Sequence, residues 1–205
     1  MVRYFGRFAM ACGVAAMLFA YPASAETSAA TKTAVFAGGC FWCVETDFEK
    51  VPGVIEVVSG YTGGTTAKPN YETASAGGHI EAVKVSYDPA KVSYPQLLDF
   101  YWRHVDVLDG GGQFCDRGNT YRPAIFADGP EQKQAAEASK SALEASKRFA
   151  KPIAVTIERA GVFTPAEEYH QDYYKKNPIK YKYYRYNCGR DARIEALWGK
   201  DAASH

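Results

Sequence analysis

The chain predicts an α+β domain: a ferredoxin-like split βαβ sheet, an α/β sandwich with extra helices and a long C-terminal coil. Three observations carry this expectation. Hydrophobic periodicity marks elements in the order β-α-β-β-α-β, followed by α-β. Breakers such as Val51-Pro52-Gly53 and Asp88-Pro89 separate the elements. The composition, 47% hydrophobic and 23% charged over 205 residues, suits one globular domain with an adequate core. No internal repeat and no long linker divides it.

The first 25 residues read as a secretory signal peptide. Arg3 and Arg7 make a basic start, Phe8 to Tyr21 is a short apolar run, and Ala23-Ser24-Ala25 is a small-residue cleavage site before Glu26. The run is short for a bilayer span; the alternative is a retained anchor. Export implies an address outside the cytoplasm, a periplasm or the exterior. Residues 26–32 form a polar leader expected to be disordered, 33–200 one folded domain and 201–205 a tail. Losing Arg3 and Arg7 takes the formal charge from +1 to −1, which gives no basis for nucleic-acid or anionic-surface binding. The mature chain is expected to be a monomer, off the membrane.

Thr33 to Ala37 is a short β-like run, and Cys40 to Lys50 turns helical. Val54 to Tyr61 and the alternating His79 to Tyr87 read as strands. Between them Thr62 to Gly78, rich in Gly, Thr, Pro and Asn, reads as a long loop of functional character. Ser93 opens a helix with a Ser-x-x-Gln capping pattern and an apolar face of Leu97, Leu98, Tyr101, Val105 and Leu108. Asp109 to Asn119 is a second glycine-rich loop, Tyr121 to Ala127 a strand, Pro130 to Lys151 a solvated helix and Ile153 to Glu158 a strand. Thr164-Pro165-Ala166-Glu167 has the form of a helix start, with that helix ending before Pro178. Ile179 to Trp198 is tyrosine-rich and carries Cys188-Gly189.

The stretch Gly38-Gly39-Cys40-Phe41-Trp42-Cys43-Val44-Glu45 concentrates the chemistry. It places Cys40 at a helix N-terminus, where unpaired N–H groups and the helix dipole favour a thiolate. The expectation is an exposed, activated thiol beside two aromatic rings. Glu81 shares a strand face with Val83, Val85 and Tyr87. A carboxyl on a core-facing row keeps its proton, as a general acid needs. The pattern leaves open a plainer role, a strand-end Glu that reaches water. Asp116 and Tyr121 flank the second glycine loop, and Tyr71 lies at the end of the first; tyrosines there are commonly half-buried core residues. His170 and Tyr174, one helical turn apart, read as helix packing.

Four cysteines remain after Cys12 goes with the leader: Cys40, Cys43, Cys115 and Cys188. In an exported chain a structural disulfide is their plain reading. The spacing argues against it, because Cys40-x-x-Cys43 staples almost no chain and the other two lie in Gly-containing stretches. Zinc wants a second close pair, which is absent. From residues alone the alternative enzyme is a general thiol–disulfide oxidoreductase using Cys40 and Cys43. It leaves the core-facing Glu81 without a role.

The chain also contains, in order, Gly39-Cys40-Phe41-Trp42, Gly60-Tyr61-Thr62-Gly63-Gly64, Pro69-Asn70-Tyr71, Gly78-His79-Ile80-Glu81-Ala82 and Tyr87-Asp88-Pro89. Further on come Asp116-Arg117-Gly118, Tyr121-Arg122 and His170-Gln171-Asp172-Tyr173. Together these stretches resemble peptide methionine sulfoxide reductase of the A type. The resemblance implies thiol-dependent reduction of methionine-S-sulfoxide, free or in proteins, as a repair activity. It implies Cys40 as nucleophile, Phe41 and Trp42 as the methyl pocket, and Glu81 as proton donor. Tyr71 and Tyr121 would bond the sulfoxide oxygen, with Asp116 supporting the polar side. Electrons would come from a thioredoxin-like dithiol protein, and no metal or organic cofactor is implied.

Cys43 stands where many members of that family have Gly, and Cys115 precedes Asp116 where many have another residue. Attack by Cys40 leaves a sulfenic acid, which a second thiol converts to a disulfide. Cys40 and Cys43, three apart on one turn, predict Cβ atoms about 5–6 Å apart. A disulfide wants roughly 3.5–4.5 Å, so Cys43 is the expected first partner. Cys188, carried by a mobile tail, would then exchange with Cys43. Cys188 first is the rival order, and Cys115 ranks third because Asp116 disfavours its thiolate.

Overall fold

The computed structural model describes residues 1–2 and 30–200. The expected signal peptide with its cleavage point, Cys12, the leader through residue 29 and the tail 201–205 lie outside the described residues, Met1 and Val2 aside. Lys32, assigned to the leader, already belongs to β1. Among the described residues no helix is long and apolar enough to cross a membrane.

The elements follow in the expected order: β1 Lys32–Ala37, α1 Phe41–Phe48, β2 Val54–Thr62, β3 Ile80–Tyr87 and α2 Tyr94–Arg103. The second glycine loop contains a small hairpin, β4 Gly112–Gln113 and β5 Asp116–Arg117. Then come β6 Ala124–Ala127, α3 Gly129–Ala145, β7 Thr156–Arg159 and β8 Thr164–Pro165. The chain closes with α4 Tyr173–Lys176, α5 Pro178–Cys188 and α6 Arg190–Trp198. Tyr121, expected to open a strand, instead ends a 3-10 turn, Asn119–Tyr121.

The sheet order is β7-β6-β1-β3-β2-β8. Its four middle strands, β6-β1-β3-β2, are antiparallel throughout, as a split βαβ unit requires. β7 adds in parallel beside β6, and β8 adds antiparallel beside β2. Alternation sends Phe36, Val83 and Val85 to one face, where Val44 and Phe48 of α1 and Leu97, Leu98 and Tyr101 of α2 cover them. Phe36 stacks on Phe48 with ring centroids 4.9 Å apart and on Tyr101 at 5.2 Å. Each such ring or leucine contributes about 1.5–3 kcal/mol by leaving water. Ser93 and Gln96 close a reciprocal capping box on α2, so that helix starts where its sequence says.

Two expectations fail in the last third. Thr164-Pro165-Ala166-Glu167 does not start a helix; Thr164 and Pro165 extend the sheet edge against Tyr61 and Gly60. A Cβ at Gly60 would lie 2.5 Å from the Thr164 carbonyl oxygen, so the bare backbone admits this strand. The Glu167 carboxylate, read as a capping-box partner, instead accepts from the Tyr61 hydroxyl and the Tyr71 amide. Nor is the C-terminal section a coil. Pro178 opens α5, Tyr181, Tyr184, Arg185 and Cys188 share its inward face, and left-handed Gly189 (φ 71°) turns the chain into α6.

Ion pairs, those of Asp47 buried, lock that section down. The Arg190 side chain is 2% exposed and donates to the Gly38 and His104 carbonyls at 2.9 and 2.8 Å. It pairs with Asp47 of α1 at 3.4 Å, and Arg185 reaches Asp47 at 2.8 Å. Arg193 holds Asp106 at 2.7 Å. Cys188 is therefore no mobile tail. It is bonded to Cys115, so the structure contains the disulfide that the spacing argued against. The reason is tertiary: the hairpin bearing Cys115 packs beside the C-terminal end of α5, a proximity that a separation of 73 residues does not reveal.

Candidate active site

Cys40 is the N-cap of α1, and its carbonyl accepts the Cys43 and Val44 amides at 3.1 and 3.4 Å. The chain reaches it through Gly39, which has φ 87° and whose Cβ would lie 2.6 Å from Gln113. Only glycine satisfies both demands. The Phe41 amide, at the first turn of α1, donates to Glu81 Oε2 at 3.0 Å. That amide is one of the groups expected to stabilise a thiolate, and Glu81 takes it.

The expectation of an exposed thiolate therefore fails. Cys40 is 7% exposed, and burial pushes its thiol well above the ordinary range. Its hydrogen bond to Cys43 and the nearby charges of Cys43 and Glu81 act in the same direction. Cys43 is buried too, but its bond from Cys40 and the Arg190 and Arg185 guanidiniums hold it below the usual thiol value. In the resting site the proton stays on Cys40.

Glu81 lies on the core-facing row of β3, opposite Tyr61 of β2, and is 3% exposed. Burial drives its pKa up to about 8, the Asp116 and Cys43 charges assist, and the Phe41 amide opposes. A protonated carboxyl at neutral pH thus stands one residue from the thiol, as the strand pattern implied.

The polar side comes from four elements. Asp116 of β5 is half-buried, its pKa raised by burial, and it accepts from the Tyr184 hydroxyl of α5. Tyr184 also lies close to Cys40, whose thiol it draws down against the burial that raises it. Tyr121 feels Glu81, Tyr71, Asp116 and Cys40, and Tyr71 feels Glu81 and Cys40; burial is the main cause that raises both phenols. The apolar side gathers around His170. The Phe41, Trp42 and Tyr71 rings lie 5.0, 5.6 and 4.7 Å from its ring. Trp42 stacks on Tyr173 at 3.7 Å and donates its indole N–H to His170 Nδ1 at 3.1 Å. That bond puts the imidazole proton on Nε2.

Cys40, Cys43, Glu81, Tyr71, Tyr121, Asp116, Phe41 and Trp42 are thus brought together. Cys115 and Cys188 sit on the rim, joined to each other. Residue-level reading gave no place in the site to Tyr184, His170, Glu167 or Glu45. His170 lies in the turn before α4, not inside a helix, and orients Trp42. Glu45 accepts from Ser59 Oγ and the Asp172 amide and is 1% exposed. Its signal was present: residues 41, 44, 45 and 48 form one helical face, and Glu45 is the charged member of it.

The family model described as peptide methionine sulfoxide reductase matches residues 32–202. Among curated relatives, peptide methionine sulfoxide reductase MsrA 2 of Rhizobium meliloti is 51% identical over 169 residues, covering 82% of this chain and 84% of that one. The MsrA protein of Listeria welshimeri is 50% identical over 174 residues, covering 84% and 98%. Among solved structures, methionine sulfoxide reductase A of Corynebacterium diphtheriae superposes with a TM-score of 0.61 at 31% identity, covering 76% of this chain and 78% of that one. Reduced Mxr1 of Saccharomyces cerevisiae superposes with a TM-score of 0.67 at 28% identity, covering 72% and 86%. The motifs run in order along the chain, the sheet is the expected one, and relatives of half-identical sequence are covered over most of their length. On these grounds the chain belongs to the peptide methionine sulfoxide reductase family, A type.

Proposed function

We propose that this site reduces methionine-S-sulfoxide, free or in proteins, to methionine. The observation that carries the reading is the Phe41 amide bond to Glu81, which sets a protonated carboxyl beside the Cys40 thiol. A sulfoxide sulfur is a poor electrophile until its oxygen gains a proton, so acid and nucleophile must act together.

Glu81 gives its proton to the sulfoxide oxygen, and Tyr71 and Tyr121 donate hydrogen bonds to it. Cys40 sulfur attacks the substrate sulfur, with its proton passing to the site. Phe41 and Trp42 enclose the S-methyl group, and Asp116, tied to Tyr184, supports the polar side. The S–O bond breaks and the oxygen leaves as water, its two protons coming from Glu81 and the Cys40 thiol, so that Cys40 is joined to the substrate sulfur as a sulfonium. Water then attacks Cys40 sulfur, the S–S bond breaks, methionine leaves, and Cys40 is left as a sulfenic acid. Cys43 then displaces the sulfenic oxygen as water and forms the Cys40–Cys43 disulfide. Its hydrogen bond with Cys40 and the nearby Arg190 support Cys43 as the first partner. A thioredoxin-like dithiol protein returns two electrons. The N-terminal pattern supports export to a periplasm, and the protein acts there as a monomer.

Turnover of each methionine sulfoxide epimer with dithiothreitol tests this reading. Reduction of the S epimer alone is expected. Insulin-disulfide reduction without sulfoxide turnover would point instead to a general thiol–disulfide oxidoreductase.

A further inference from the structure

We infer that Cys115 is the sulfur at which the external dithiol protein enters, and that the Cys115–Cys188 disulfide relays its electrons to the Cys40–Cys43 pair. The inference rests on the reading above, in which turnover leaves Cys40 joined to Cys43.

The two sulfurs of the disulfide differ in surroundings. Cys115 is exposed on the hairpin, whereas Cys188 is half-buried on the inward face of α5. The Cys115 amide donates to Cys188 Sγ at 3.2 Å. In thiol–disulfide exchange the sulfur that leaves more readily is the one whose thiolate is better stabilised. That donor favours Cys188 as the leaving group while the Asp116 carboxyl opposes it, so exposure decides, and the attacked sulfur is Cys115.

The inward side of Cys188 leads to the site. Its Sγ lies 3.8 Å from Asp116 Oδ2, and Tyr184, one turn earlier on α5, donates to that carboxyl and lies close to Cys40. Arg190, two residues on, donates to the carbonyl of Gly38, just before the nucleophile. Cys188 is thus a fixed sulfur on the wall of the site, while Cys115 faces solvent.

A donor thiolate attacks Cys115 Sγ, the Cys115–Cys188 bond breaks, and Cys188 leaves as a thiolate. The donor's second thiol closes the donor disulfide and releases Cys115. Cys188 then attacks the Cys40–Cys43 disulfide, forming a mixed disulfide. Cys115 resolves it, restoring Cys115–Cys188 and leaving Cys40 and Cys43 as thiols. Two electrons enter and two leave.

The test traps the first step on the unaltered protein. The chain is oxidised with one equivalent of methionine-S-sulfoxide and mixed with thioredoxin whose second active-site cysteine is replaced by serine. Peptide mapping is expected to find the donor on Cys115; a donor bound first to Cys188, Cys43 or Cys40 would overturn the proposal. A second readout is the ratio of thioredoxin-driven to dithiothreitol-driven turnover. Cys115→Ser is expected to lower it about tenfold or more, because protein access to the pair is lost. An unchanged ratio with a lowered melting temperature would mean a purely structural disulfide and would also overturn it. The epimer assay on the same wild-type preparation separates this failure from failure of the reductase reading.

Discussion

The Phe41 amide and Glu81 Oε2 are 3.0 Å apart, so the residue after the nucleophile holds the acid in place. One hydrogen bond thus joins the first turn of α1 to the core-facing row of β3.

Replacing the acid tests the consequence. Glu81→Gln keeps the acceptor for Phe41 but has no proton to give, and the rate should fall about 10²–10⁴-fold. The wild-type rate should decline as pH rises through about 8, where Glu81 ionises. The Gln variant should lack that limb. Stopped-flow rates across pH in both proteins check this; an unchanged Gln rate would move the proton donor to Tyr71 or Tyr121.

The same burial has a stability signature of definite sign. Glu81 is raised from 4.5 to about 8 and Glu45 from 4.5 to about 7. Both are protonated in the fold at pH values where the unfolded chain has lost the proton. Their contribution is complete below 4.5 and is lost as pH rises through about 7 to 8. The slope is about 1.4 kcal/mol per pH unit for each group. Thermal unfolding at pH 5 to 8.5 should therefore show a falling melting temperature, and Glu81→Gln should flatten the fall and melt above wild type at pH 8.5. A Gln variant as pH-sensitive as wild type would refute the assignment.

His170 holds Trp42 by the 3.1 Å indole bond and takes no part in proton transfer. His170→Ala leaves a part-buried N–H without its acceptor, a loss of about 1–3 kcal/mol. Steady-state kinetics should show KM raised roughly 5- to 150-fold, with a smaller change in kcat. A larger loss in kcat than in KM would mean that His170 touches the chemistry.

Much of this architecture was legible because local signals agreed with tertiary demand. Ser93 and Gln96 form a real capping box, and the row Glu81, Val83, Val85 does face the helices. Thr164-Pro165 misled because its capping letters match a helix start, while the bare Gly60 backbone, far earlier in the chain, offered a strand partner. The cysteines misled for a similar reason. No periodicity records that Cys115 and Cys188 meet, or that buried Arg190 anchors the section carrying Cys188. The thiolate expectation counted helix N–H groups without knowing that Glu81 consumes one.

Arg190 offers a check on that anchoring. Arg190→Met removes one of the two guanidiniums paired with Asp47 and leaves the Gly38 and His104 carbonyls without their donor, a loss of about 1–3 kcal/mol for each buried acceptor left unpaired. Urea unfolding should show a lowered midpoint with an unchanged slope. A midpoint equal to wild type would show that the C-terminal helices are not pinned from within.

Cys43 is expected to trap oxidised Cys40 before Cys188 does. Peptide mapping after one equivalent of substrate, without reductant, should find Cys40–Cys43 first. A Cys40–Cys188 bond formed as fast in wild type as in Cys43→Ser would show that Cys43 is not the first resolving thiol.

The central claim is that Cys40 attacks the sulfoxide sulfur. A single-turnover experiment with no external reductant tests it most directly, by methionine formed from one equivalent of methionine-S-sulfoxide. Wild type should yield methionine together with loss of the Cys40 thiol, and Cys40→Ser should yield none. Measurable methionine from Cys40→Ser would contradict the assignment.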